Sequence, residues 1–178
     1  ESIYSSPLRL AADGSERMPL PDAELLSDVK VALLPPMSGL ASTEPKWELG
    51  RINVLIGEGQ TAQVLRNLCY RLAEDSPEAW VELQRDVNSL FGVQLDRPQF
   101  NALRGEVTMG YREKSGVELD LSSAGRGLQQ TLLLLAYLYA NPNTAVLLDE
   151  PDAHLEILRQ RQIYRVINDV ARSRNGQI

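Results

Sequence analysis

Four consecutive apolar residues at positions 145–148 constrain the fold more than any other stretch of this chain. The run is short and partly β-branched, which is typical of a strand buried on both faces within a parallel sheet covered by helices. Asp149, Glu150 and Pro151 follow it directly. Because ligands of open α/β sheets bind at the carboxyl ends of the strands, we expect both carboxylates to lie at a functional edge.

Two adjacent carboxylates at such an edge suit a particular chemistry. A Mg²⁺ ion bound to nucleotide phosphates takes a carboxylate ligand, and an attacking water molecule needs a base. The alternative is a structural pair of acids at the entry to a helix. The apolar strand, the acid pair and Pro151 together favour the functional interpretation.

A second candidate site lies upstream, where Leu121-Ser-Ser-Ala-Gly-Arg-Gly-Leu-Gln-Gln130 leads into an apolar stretch at residues 131–140. We predict a helix over residues 123–140. Small residues at the start of a helix leave backbone N–H groups open to an anion, and the helix dipole favours negative charge there. An ordinary helix with Ser122 or Ser123 as its N-cap is the alternative. Both can hold, because capping and phosphate binding use the same donors.

These segments resemble the motifs of ABC-type ATPases. Ser123-Ala-Gly-Arg126 is similar to the signature Ser-Gly-Gly-Gln, residues 145–150 resemble a Walker B strand with its extra glutamate, and residues 151–156 resemble the D-loop. Their order and close spacing resemble the ATPase heads of SMC/RecF-like proteins, and especially the AAA-type ATPases related to the overcoming-lysogenization-defect (OLD) nucleases. The specific motifs cover residues 121–156 only.

The resemblance implies ATP and Mg²⁺ as cofactors and gives roles to individual residues. Asp149 would hold Mg²⁺, and Glu150 would polarise the attacking water. The γ-phosphate of ATP held by a second subunit would be contacted by the signature residues Ser122, Ser123, Ala124, Gly125 and Arg126. A homodimer of ATPase heads is therefore expected.

Three residues of these motifs keep two interpretations each. Arg126 stands where the family usually has glutamine or glutamate, and either adds charge to the phosphate site or pairs with an acid. Asp152 belongs to the D-loop at the nucleotide site or only caps the next helix. His154 contacts the opposing subunit or is a polar residue at an exposed helix start.

The phosphate-binding loop of such ATPases is missing from the sequence. A P-loop has the pattern G-x-x-x-x-G-K-[ST], and none of the three lysines, Lys30, Lys46 and Lys114, follows a glycine. We therefore expect residues 1–178 to form a single partial ATPase domain without its N-terminal lobe, inactive when isolated. The expected fold class is α/β, a P-loop NTPase of the ABC-ATPase type, with a mixed sheet, a β-hairpin and a helical layer.

The remaining pattern predicts that helical layer over about residues 47–92. Helical periodicity covers residues 47–56 and 61–73, and Ser76-Pro77 predicts a third helix with a capping hydroxyl that ends near Phe91. Residues 103–112 alternate like one half-buried strand, and residues 117–121 form its return strand. We expect Glu118 and Asp120 to lie on the solvated face of that return strand.

Composition excludes several classes of protein. A net charge of −6 argues against a strongly basic nucleic-acid module. Cys69 is the single cysteine, so no intrachain disulfide forms; it fits a reducing cytoplasm and a core thiol. No apolar run approaches the roughly 18 residues of a membrane span. One histidine and one cysteine without ligand spacing argue against zinc.

The function expected from the sequence is ATP binding and hydrolysis that drives closure of a dimer, in DNA repair or phage defence. DNA and a nuclease domain or subunit are further partners that the resemblance suggests, and no membrane is expected. The alternative is a non-catalytic interaction domain that keeps the same motifs for ATP-gated association only.

Overall fold

The computed structural model describes residues 30–149, residue 151 and residues 157–178. Glu150, Asp152 and His154 lie outside the described residues, so their predicted roles remain predictions. The described helices are α1 (Leu49–Gly57), α2 (Leu65–Asp75), α3 (Pro77–Phe91), α4 (Arg126–Ala140) and α5 (Ile157–Ser173). The described strands are β1 (Lys30–Leu34), β2 (Gln94–Leu95), β3 (Gln99–Asn101), β4 (Glu106–Thr108), β5 (Gly110–Arg112), β6 (Glu118–Asp120) and β7 (Thr144–Leu148).

Helix α4 lies at the centre of the fold. Residues 128–139 are all buried, because the helix packs against α2, α3 and α5. A helix that is apolar on every side cannot be stable at a surface, so these leucines and tyrosines require neighbours all round. The predicted helix began at residue 123, whereas α4 begins three residues later, after a separate 3₁₀ turn at Leu121–Ser123.

Strand β7 has a neighbour on each edge. It pairs in parallel with β1, with Leu34 opposite Leu148. On its other edge, Gln177 forms a parallel bridge with Ala145. Gly176 lets the chain approach this closely, since a Cβ atom there would lie 2.8 Å from the Thr144 carbonyl oxygen. An interior position for β7 in the sheet agrees with the sequence-based expectation.

The expectation that β7 is buried on both faces is wrong for the described part of the chain. Val146 and Leu34 face the core and are each 1% exposed. On the opposite face, Val31, Leu33 and Leu147 are each more than half exposed. Side chains alternate between the faces of a strand, and the described helices cover only the Val146 face.

The helical layer consists of α1, α2 and α3. Helix α2 was predicted over residues 61–73, but a 3₁₀ turn at Thr61–Gln63 precedes its α-helical part. Helix α3 begins at Pro77 as expected. The predicted capping hydroxyl of Ser76 is wrong, because that side chain makes no cap hydrogen bond. Cys69 is fully buried in the core, as expected.

The single long strand predicted at residues 103–112 is wrong. Instead, β3 and β4 form one antiparallel hairpin, and β5 pairs antiparallel with both β2 and β6. Residues 102–105 form a turn, in which Gly105 adopts a φ of +67° and closes the first hairpin, and Met109 separates β4 from β5. Turn geometry therefore overrides the alternating pattern. Strand β6 leads directly into the turn that precedes α4.

Within the described ranges, no helix combines the length and the apolar character that crossing a membrane requires.

Candidate nucleotide site

Asp149 lies in a bend directly after β7, and its side chain is exposed. The register of Leu34 with Leu148 makes the carboxyl ends of β1 and β7 coincide. Asp149 therefore follows β7 at the sheet edge where α/β proteins bind ligands, as the sequence predicted.

The N-terminal half of α4 lies at this same end of the sheet. The backbone N–H of Met37, three residues after β1, donates a 2.8 Å hydrogen bond to Oε1 of Gln130. Both residues are buried. Nε2 of Gln130 is also buried and has no partner among the described residues. The C-terminal half of α4 lies at the other end of the strands, where β1 and β7 begin. There, Tyr137 lines a cleft of about 600 Å³ together with Lys30 and Thr144.

The turn before α4 is built differently from an ordinary serine-capped helix. Gly125 is the N-cap residue, with φ −60° and ψ 147°, and no side chain caps the helix. Neither Ser122 nor Ser123 is the N-cap, so that alternative is wrong. The hydroxyl of Ser123 instead donates to the carbonyl oxygen of Asp120 at 2.6 Å.

The same turn leaves backbone donors free. Leu128 and Gln129 both donate their N–H groups to the carbonyl oxygen of Gly125. By contrast, the described residues provide no acceptor for the N–H groups of Gly125, Arg126 and Gly127. Free donors at the positive end of a helix dipole form a ready site for an anion. Ser122, Ser123, Gly125 and Arg126 are exposed, while Ala124 is 9% exposed.

Residues 44–178 match the family model described as "AAA domain, putative AbiEii toxin, Type IV TA system". That span is about three quarters of the chain. The chain belongs to this family. It is therefore an AAA-type domain of the P-loop ATPases, a class that binds and hydrolyses nucleotides. Comparison with curated proteins and with solved structures found no match.

In this AAA domain, two side chains hold the turn at residues 121–125 that precedes α4. Oδ1 of Asp120 accepts the N–H of Ser122 at 2.8 Å. Nε2 of Gln129 donates to the carbonyl oxygens of Leu121 and Ser122 at 3.1 and 3.3 Å. Because these two carbonyl oxygens and the Ser123 hydroxyl are held by hydrogen bonds, the N–H groups that follow at the start of α4 lie in a fixed arrangement.

A partly buried ionic network connects this turn with helix α2. Arg66 in α2 is 1% exposed, and its guanidinium donates to Oδ1 of Asp120 at 3.0 Å and to the carbonyl oxygen of Ala41 at 2.8 Å. Glu44 is fully buried and accepts the N–H groups of Arg66 and Asn67 at 2.9 and 2.7 Å. The carboxylate of Glu44 thus caps α2, whose own N-cap residue Val64 offers no side-chain acceptor.

The two carboxylates of this network are shifted in opposite directions. Burial raises the pKa of Glu44 above its ordinary value, although the hydrogen bonds from Asn67 and Arg66 oppose that shift. Desolvation also acts to raise the pKa of Asp120, but the hydrogen bonds from Ser122 and the charge of Arg66 outweigh it and lower this pKa. Asp120, which is paired with Arg66, is therefore ionised at neutral pH.

Sequence reasoning missed this network, although one signal was present. Arg66 lies four residues after Ala62 and three before Cys69, so helical periodicity places it on the buried side of α2. A buried arginine requires a carboxylate partner. No comparable signal marks Glu44 within its loop. The expectation of a solvated face holds for Glu118, which is 67% exposed, and for Asp120, which is 51% exposed although one of its carboxylate oxygens pairs with Arg66.

Asp149 is an exposed carboxylate at the carboxyl end of β7. The part of the chain that the structure describes contains no cluster of three or more potential metal ligands. A single exposed carboxylate fits Mg²⁺, which usually takes one or two protein carboxylates and completes its shell with phosphates and water. Arg126 is exposed, and no described carboxylate lies within ion-pair distance of it.

Proposed function

We propose that this AAA domain is the head of a dimeric ABC-type ATPase. Its signature turn, residues 121–125 with Arg126, contacts the γ-phosphate of ATP held by a second copy. The observation that carries the proposal is the contrast within this turn. The carbonyl oxygens of Leu121 and Ser122 and the hydroxyl of Ser123 are engaged in hydrogen bonds, whereas three backbone N–H groups at residues 125–127 have no acceptor among the described residues.

The proposed division of labour assigns one role to each motif. Asp149 holds Mg²⁺ at the sheet edge, and Glu150 orients and polarises the attacking water. Asp152 and His154 belong to the D-loop and lie at the seam between the two heads. The lysine and amide cradle of the P-loop comes from a lobe outside residues 1–178, because this sequence contains no P-loop pattern.

Preorganised donors account for the catalytic contribution of the signature turn. Phosphoryl transfer depends mainly on positioning and on stabilising the charge that develops on the phosphoryl oxygens. Backbone N–H groups fixed by Asp120 and Gln129 need no reorganisation when the second head closes. Arg126 can add a positive charge at the same surface, since it is exposed and unpaired within the described ranges.

The description of the family supports one proposal for the biological setting. That description names an AbiEii toxin of a type IV toxin–antitoxin system, which favours a role in cell defence over one in DNA repair. DNA and a nuclease domain or subunit are partners to be tested with the full-length protein. The competing function is ATP-gated association without hydrolysis.

ATP turnover by the full-length protein distinguishes these functions. Asp149→Asn should abolish Mg²⁺-dependent hydrolysis, and Asp169→Asn, an exposed acid on α5, is the matched control. Glu150→Gln should still bind ATP, slow turnover by roughly 10²–10⁴-fold as for other general acid–base groups, and accumulate the closed dimer. Wild-type protein that dimerises with ATP but never hydrolyses it would establish the non-catalytic alternative.

A further inference from the structure

One carboxylate of Asp120 links the signature turn to helix α2. Its Oδ1 atom accepts two hydrogen bonds, from the N–H of Ser122 at 2.8 Å and from the guanidinium of Arg66 at 3.0 Å. The carbonyl oxygen of the same residue accepts the hydroxyl of Ser123. The positions of both serines therefore depend on where Asp120 is held.

Arg66 is itself fixed in place. Its side chain is 1% exposed, and a second guanidinium nitrogen donates to the carbonyl oxygen of Ala41. Its backbone N–H donates to the buried carboxylate of Glu44. An arginine held at both its backbone and its guanidinium cannot follow a displaced carboxylate, so it acts as a fixed reference point within the helical layer.

We propose that Arg66 and Asp120 form a positioning pair for the signature turn, which sets the location of its phosphate-binding N–H groups relative to the helical layer. This inference rests on the function proposed above. The pair has a second consequence for charge. Asp120 is 51% exposed and lies two residues from Ser122, so without Arg66 its negative charge would repel the incoming γ-phosphate.

A positioning role predicts that loss of the pair leaves ATP binding to one head unchanged but lowers turnover and ATP-dependent dimerisation. ATP binding to a single head uses the P-loop side of the site and does not involve Asp120. Turnover and ATP-dependent dimerisation require the signature turn in its correct place. Misplacement of a catalytic group by about 1 Å costs up to roughly 100-fold in rate. A loss of fold stability alone would instead lower all activities together in proportion to the folded fraction.

The experiment uses the full-length protein with four variants. Asp120→Ala removes the acceptor for Ser122, Asp120→Glu moves it by one methylene, and Asp120→Asn keeps an oxygen at the same place. The matched control is Asp75→Ala, which removes an exposed acid paired with Arg71 at 3.1 Å on the same helix as Arg66. Measurements are ATP affinity under non-hydrolysing conditions, kcat, and ATP-dependent dimerisation by sedimentation.

The expected result is a 10- to 100-fold fall in kcat and weaker dimerisation for Asp120→Ala and Asp120→Glu, with ATP affinity within about threefold of wild type. Asp120→Asn should recover most of both activities, and Asp75→Ala should match wild type. The inference is overturned if Asp120→Glu keeps wild-type kcat and dimerisation, or if ATP affinity falls in parallel with kcat. Should Asp120→Ala fail to fold, the glutamate and asparagine variants decide the matter.

If the proposed ATPase function itself is wrong, a different set of results is expected. In that case wild-type protein would neither hydrolyse ATP nor dimerise with it, and Asp149→Asn would change nothing. If wild type is active and Asp149→Asn is not, the ATPase assignment stands. The Asp120 variants then report on the positioning pair alone.

Discussion

Nε2 of Gln129 lies 3.1 Å from the carbonyl oxygen of Leu121 and donates a hydrogen bond to it. The amide reaches back from the first turn of α4 and also donates to the carbonyl oxygen of Ser122. Gln129 is 3% exposed and Leu121 is fully buried. The helix therefore holds the turn that precedes it, and the turn cannot change shape without breaking buried hydrogen bonds.

Replacement of Gln129 by alanine should destabilise the protein by about 0.5–1.5 kcal/mol, because it removes the hydrogen bonds to the carbonyl oxygens of Leu121 and Ser122, of which only that of Leu121 keeps another donor, the N–H of Ala124. The midpoint of urea-induced unfolding measures this change. Gln162→Ala on the exposed face of α5 is the control and should lie within about 0.5 kcal/mol of wild type. Equal midpoints for the two variants would show that Gln129 does not hold the turn.

The pH dependence of stability should reveal the ion pair between Arg66 and Asp120. The pKa of Asp120 is lowered in the folded protein, so its contribution to stability is fully present above its ordinary value of 3.8. That contribution is lost as the pH falls below 3.8 toward the folded-state pKa. The difference in unfolding free energy between wild type and Asp120→Asn should therefore shrink as the pH falls through this range.

Glu44 should behave in the opposite way, and its contribution must be separated from that of Asp120. Its pKa is raised by burial, so its stabilising effect is greatest below its ordinary value of 4.5 and declines as the pH rises through the folded-state pKa. Comparing wild type with Asp120→Asn cancels this term, since both proteins contain Glu44. A wild-type advantage that grows as the pH falls would contradict the assignment of Asp120.

The sequence correctly predicted the helices and strands that are determined by neighbouring residues. The apolar run before Asp149 is a strand, Ser76-Pro77 begins a helix, and the apolar stretch after Gly125 is the central helix. These features depend on periodicity, on proline geometry and on hydrophobic burial, all of which are written in neighbouring residues.

Features with a non-local cause could not be predicted in the same way. The strand break before Glu106 depends on turn geometry at Gly105, and the cap of α2 comes from Glu44, more than twenty residues upstream of Arg66. The residues of the candidate site also differ in whether their cause is local or non-local. Asp149 and the signature turn are visible in the sequence, whereas the Arg66–Asp120 pair that supports the turn joins positions 54 apart.

Gly125 provides a test in which the structural and the functional interpretations of the turn predict different effects on ATP-dependent dimerisation and turnover. It is the N-cap of α4 without a side-chain cap, its φ of −60° is open to any residue, and a Cβ atom there would contact nothing within 4 Å. If the turn only begins a helix, Gly125→Asp supplies the missing cap and should stabilise the protein by a few tenths of a kcal/mol.

If the turn contacts the γ-phosphate of ATP in the second head, the same aspartate places a negative charge against another negative charge. Gly125→Asp should then reduce ATP-dependent dimerisation and turnover at least tenfold while leaving thermal stability equal to or above wild type. Gly50→Ala adds a methyl group at an open position of α1 and serves as the control, with unchanged dimerisation. Sedimentation with ATP and a thermal melt on the same samples measure both effects. A stabilised Gly125→Asp protein that still dimerises and hydrolyses ATP like wild type would show that the turn is a helix start only.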